Sequence, residues 1–163
     1  MSLAYLVMPD DGLAVWQARG VVSGPEIRAA GRSLFQDPAW RPGLDLVADY
    51  RPARGFDLDL ADLELMVEQD RGFAARLEGM RCAVVMPDDL GFGLARAWEA
   101  LVGGLPYQGR AFRSLEAAAA WLGRPAETLE QALADLSRRQ GDKASKTPGF
   151  PLEKASGPGP QRP

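Results

Sequence analysis

Five short apolar runs, each cut off by a proline, glycine or aspartate break, constrain this chain more than any other feature. They lie at residues 3–8, 13–19, 44–50, 81–86 and 105–113. Runs of this length and apolarity read as buried strands. The first two are separated only by Pro9-Asp10-Asp11-Gly12, a turn sequence, and form a β-hairpin. After the second, every strand is preceded and followed by a stretch with helical spacing. The order is ββαβαβαβα. Repeated βα units predict an α/β fold: a central mixed, mostly parallel sheet of about five strands flanked by helices, with the N-terminal hairpin as its antiparallel edge.

The helix ends carry their own signals. Ser23 and Glu26 have capping-box spacing, and Pro25 suits a first turn because its missing N–H has no helical partner. Ile27, Ala30, Leu34 and Phe35 then share a face, and Asp37-Pro38 ends the helix. Residues 51–59 read as a polar connection. A long helix follows over 60–78, with Leu63, Met66, Val67, Phe73, Ala74 and Leu77 as its stripe and Gly79 as its stop. Asp88 or Asp89 caps the next, whose stripe is Leu90, Leu94, Ala97, Trp98 and Leu101. Ser114 caps residues 115–122.

Three segments result. Residues 1–123 form the α/β domain. Residues 124–139 form an appended helix, with Leu129, Leu133 and Leu136 on one side, which either docks on the body or mediates self-association. Residues 140–163 are rich in Gly and Pro, hold all three lysines and have almost nothing to bury, so they read as a disordered tail.

Composition removes several chemistries. With no histidine, a histidine-assisted serine or cysteine nucleophile and the commonest zinc ligand are both excluded. The single cysteine, Cys82, sits in an apolar run and reads as a buried structural thiol rather than a redox pair. A net charge of −3 argues against a phosphate-tracking surface, so nucleic acid is not expected as a partner. The N-terminus lacks the basic region of a signal peptide and no run approaches transmembrane length, which makes the cytoplasm the expected location. Neither cofactor nor metal is expected. Asp45, Asp49, Asp57 and Asp59 lack the glycine and terminal glutamate of a calcium loop.

Residues 3–123 resemble the SpoIIAA-like (STAS-type) family of bacterial proteins. The segments that carry the resemblance are FQDPAWRPG at 35–43, LDLVAD at 44–49, PDDLGFGLAR at 87–96 and AFRSLEAAAAWL at 111–122. The resemblance implies a binding or regulatory module rather than an enzyme. Classical anti-sigma-factor antagonists of this family carry a phosphorylatable serine at the start of the helix after the third strand. The matching stretch here, residues 50–59, holds no serine or threonine, so a phosphoserine switch at that place is absent. Asp57 and Asp59 are the negative charges available there, and helix capping is their expected role. Some SpoIIAA-like proteins also resemble lipid-carrying CRAL-TRIO domains in architecture, which implies a small apolar ligand or peripheral membrane contact as the alternative.

The candidate partner or ligand surface comprises Asp49, Arg54, Asp57, Asp70, Phe92 and Arg96. It joins residues 51–59 to the helix start at 88–96, because both follow parallel strands and emerge at the same sheet edge. Asp70 falls inside the stripe of the long helix. It either faces a cleft or lies at the stripe's edge, in water or paired with an arginine, and the second reading is favoured. Phe92 either packs under residues 51–59 with Arg96 bridging to a carboxylate, or stays exposed with Arg96 stacked on it. The leading expectation is a non-catalytic domain that binds a partner protein, with a homo-oligomer left open. The alternative is a carrier of a small apolar ligand, with Met66, Phe73 and Leu94 lining a dry cleft. A carboxylate-based enzyme using Tyr50, Tyr107 or an arginine ranks third.

Overall fold

The computed structural model describes residues 3–145. β1 (Leu3–Met8) reverses through a 3-10 turn and Gly12, whose φ of +63° suits a residue without a Cβ, into β2 (Leu13–Ala18). There follow β3 (Gly20–Ser23), α1 (Gly24–Gln36), β4 (Asp45–Asp49), β5 (Ala53–Asp57), α2 (Leu60–Gly72), α3 (Ala74–Leu77), β6 (Arg81–Val85), α4 (Asp89–Leu101), β7 (Gln108–Phe112), α5 (Leu115–Leu122) and α6 (Ala126–Ser145). The main sheet has the order β1-β2-β4-β6-β7. β1 runs antiparallel to β2, and the other three pairings are parallel. The chain thus forms the expected α/β architecture: a mixed, mostly parallel five-stranded sheet flanked by helices, with the hairpin at its N-terminal edge.

Alternation along each strand gives the sheet two buried faces. Ala14, Trp16, Leu46, Ala48, Cys82 and Val84 point to the face covered by α1, α2 and α4. Leu13, Val15, Val47, Ala83 and Val85 point to the face covered by α5 and α6. Burial on both sides is why the parallel strands read as unbroken apolar runs. The capping signals act as read. Ser23 and Glu26 form a full capping box, and Asp88 and Ser114 each accept an N–H three residues on.

Four details differ from the sequence reading. The polar connection at 51–59 contains β5, which pairs in parallel with β3 as a separate two-stranded ribbon. Strands this short carry too little pattern to stand out. The long helix breaks at Phe73, directly after Gly72, so residues 60–78 form two helices; glycine is a poor helix former at such a point. The buried line of α4 runs through Gly91 and Ala95 and on to Val102, whereas Leu90 is 66% exposed. Small residues, not large ones, face the sheet here: a Cβ on Gly91 would lie 2.9 Å from the Phe56 ring. Finally, α6 continues past residue 140 to Ser145. Extending a formed helix costs far less than nucleating one, so the helix continues through the exposed residues 141–143. The rest of the predicted tail, 146–163, lies outside the described residues.

α6 seats Leu129, Leu133 and Leu136 on the second sheet face, against Leu6, Leu13 and Val15. An ionic clasp holds the link before it. Asp45, 3% exposed on β4, takes two 2.8 Å bonds from Arg81 and one of 3.0 Å from Arg124. Arg124 also donates to the carbonyls of Asp11 and Gly12, both at 3.0 Å.

Candidate functional site

On the first sheet face, the helices do not fill the space above the strands. A cavity of about 100 Å³ lies between the sheet and α1, α2 and α4. Its floor is Trp16, Leu46, Ala48, Cys82 and Val84. Ile27 and Gly31 of α1, Leu63 and Met66 of α2, and Leu94, Ala95 and Trp98 of α4 form the roof. Small side chains at Gly31, Ala48 and Ala95 leave room that larger neighbours would occupy. Tyr50, Phe56 and Leu58 close one side, with Trp16 edge-on to Tyr50 at 6.1 Å between ring centroids and Tyr50 tilted against Phe56 at 5.9 Å.

Asp70 is on the wall of this cavity, and that corrects the reading of it as a residue in water or paired with an arginine. Its partner is the Tyr107 hydroxyl, which donates to Oδ2 at 2.6 Å. Two elements place the pair: α2 carries Asp70 inward one turn after Met66 and Val67, and Tyr107 enters from the segment just before β7. Burial pushes the Asp70 carboxyl up to about 6, and the Tyr107 hydrogen bond opposes the rise without cancelling it. Burial likewise pushes the Tyr107 hydroxyl and the Cys82 thiol up, and the Asp70 charge adds to both. Cys82 is therefore a neutral wall group rather than a nucleophile. Burial also raises Tyr50.

Two further polar wall groups, Arg28 and Gln69, are engaged by the fold. Arg28 bonds Asp62 at 3.3 Å. Gln69 donates to the Arg28 carbonyl at 3.0 Å and accepts from Arg32 at 3.2 Å. Among the described residues, the buried Trp16 indole N–H has no hydrogen-bond acceptor.

The other five candidate residues do not join Asp70. Asp49 is fully buried on the opposite sheet face, where Gln17 and Arg51 take up its carboxylate, so it offers nothing to a partner. Arg54 and Asp57 are exposed on β5. Asp57 caps nothing, and Asp59 caps α2 in a box with Asp62. The 51–59 segment and the start of α4 do meet, through Phe56 and Gly91. Phe92 is half-buried against the core, and the cation over its ring is Arg113, at 4.2 Å, in place of Arg96. Arg113 is also paired with Asp89. Arg96 bonds Glu99 at 3.0 Å, one turn along its own helix.

Met66 and Leu94 line the cavity as the carrier reading expects, but Phe73 does not. The break in the helix turns Phe73 onto Phe35, 5.7 Å between ring centroids. The sequence reading missed Trp16 as a wall residue; its signal was alternation with Ala14 and Ala18 along β2. Among the described residues, no group of three or more Cys, Asp or Glu side chains is placed to hold a metal ion. No helix among them is long and apolar enough to cross a membrane.

No protein-family model matches the chain, and no curated protein matches it. It is similar to the crystal structure of an uncharacterised protein from the DUF3478 family, with a SpoIIAA-like fold, from Shewanella loihica PV-4. The two share 14% sequence identity with a TM-score of 0.49, over 74% of this chain and 94% of that one.

Proposed function

We propose that the protein is a non-catalytic binding domain that holds a small, largely apolar ligand between its sheet and α1, α2 and α4. The observation that carries this reading is the cavity itself: apolar and aromatic walls with one carboxylate–phenol pair turned into it. Pockets of that composition, mostly apolar with few convergent polar groups and a perturbed carboxyl, are the usual form of small-molecule sites. The volume of about 100 Å³ is below the roughly 300–1,000 Å³ of sites for drug-sized ligands, which favours a small body over a lipid chain. The non-catalytic reading is supported by the wall chemistry: burial holds the Cys82 thiol neutral, and the one hydroxyl beside the Asp70 carboxylate, that of Tyr107, is itself pushed up by burial and held protonated.

Native mass spectrometry of the full chain, isolated gently, tests the reading. A reproducible added mass that Met66→Trp abolishes is the expected result, since the larger ring fills the cavity. A bare mass, together with no thermal shift from any small aromatic or aliphatic compound, sinks it.

A protein partner is the second reading. It is favoured by Leu60 and Leu90, 56% and 66% exposed at the starts of α2 and α4, and by Val21, 62% exposed on β3. Partner capture that survives a Leu60→Ser, Leu90→Ser double change removes this surface from consideration.

A further inference from the structure

We infer that the cavity selects a small organic cation: an ammonium group set against Asp70, on an apolar body of about single-ring size held by the aromatic wall. This rests on the reading of the cavity as a ligand site and names the class of ligand it takes.

Asp70 is the acid of the cavity wall, and among the described residues no arginine or lysine pairs with it. Its bond from Tyr107 occupies Oδ2, and among the described residues Oδ1 takes no hydrogen bond. The cation in the wall, Arg28, is already committed to Asp62. An ionised carboxylate half-buried against apolar walls lacks the counter-charge that normally offsets its lost hydration. A ligand ammonium supplies that charge. Trp98 and Tyr107 also line the cavity, and aromatic faces attract cations. A neutral ligand of the same shape leaves the carboxylate uncompensated in a drier site, and an anion meets it directly.

The other charged or titratable wall groups are Arg28, Tyr50, Cys82 and Tyr107. Arg28 is tied to Asp62, and burial keeps the other three neutral around neutral pH. Asp70 alone on this wall changes charge in the mildly acidic range. Preference for a cation is therefore expected to weaken as pH falls through about 6.

Three probes of one shape test the inference: benzylamine, benzyl alcohol and benzoate, titrated into the full chain near neutral pH by calorimetry or by NMR. Benzylamine is expected to bind at least about tenfold more tightly than benzyl alcohol, with benzoate weakest. That ratio is expected to shrink toward one in Asp70→Asn, and in the unaltered protein at a pH about one to two units below the Asp70 midpoint. The second measurement needs no variant to fold. Benzyl alcohol or benzoate binding as tightly as benzylamine overturns the cation while leaving the cavity as a ligand site. If none of the three binds, the cavity reading falls and the inference with it.

Discussion

Arg124 Nε donates to Asp45 Oδ2 at 3.0 Å across 79 positions of sequence. The same guanidinium closes on the carbonyls of Asp11 and Gly12, so one side chain ties the α5–α6 link to β4 and to the first turn. Arg124→Ala leaves the buried Asp45 with Arg81 as its counter-ion and takes a donor from the exposed Asp11 carbonyl, while the Gly12 carbonyl keeps the Asp45 N–H at 2.9 Å. The expected loss is about 1–3 kcal/mol of folding stability. Urea denaturation should show a lower midpoint at unchanged slope. Arg124→Lys should recover only part, because an ammonium cannot reproduce a fork that reaches three oxygens.

Asp70 gives the fold a pH dependence of definite sign. Its folded value, about 6, lies above its ordinary value of 3.8, so the native state holds the proton more tightly than the unfolded chain. Its contribution to stability is therefore best below the ordinary value, declines as pH rises from about 4 to about 6, and is flat above. Asp70→Asn removes that decline. The two proteins should be closest in stability near pH 4, and the Asn form should gain relative to the other up to about pH 6. Denaturant titrations across this window check it. Curves that stay parallel would place the carboxylate in water.

Gly109 marks where β7 and α4 touch. A Cβ there would lie 2.4 Å from the Trp98 ring and 2.9 Å from Val102. Gly109→Ala is expected to cost about 1–3 kcal/mol by overpacking. Trp98→Leu in the same chain should return much of that loss, giving a favourable coupling in a double-mutant cycle. Additive costs would mean that the clash is relieved elsewhere.

Leu129 is fully buried on the second sheet face. Leu129→Ala should cost about 2–4 kcal/mol. Since the contacts lie within one chain, the loss should not vary with protein concentration. A loss that grows on dilution would instead mark α6 as a contact between copies.

The strands and most helix ends were legible because their signals are local. A capping box needs Ser23 and Glu26 and nothing more distant, and strands buried on both faces announce themselves as apolar runs. The α4 face was misjudged because periodicity counts large apolar residues, and Leu90 weighed more than Gly91. Only the approach of Phe56 from β5, some 35 positions earlier in the chain, makes glycine the inward residue. The β3–β5 ribbon was invisible for a related reason: each strand is defined by the other. Asp70 could be flagged from its stripe, but the Tyr107 hydroxyl that fixes its orientation lies 37 residues on. Asp49 shows the opposite error. An aspartate at a strand end looked available, and Gln17 and Arg51 bury it.

The docking of α6 also sets an order of events during synthesis. Leu6, Leu13 and Val15 leave the ribosome more than about a hundred residues before the leucines that cover them. Until then a growing chain carries an apolar sheet face open to its neighbours, and contacts this distant in sequence form slowly. The domain cannot close strand by strand as it is made. Its final packing waits until Leu136 has been made and can reach the sheet.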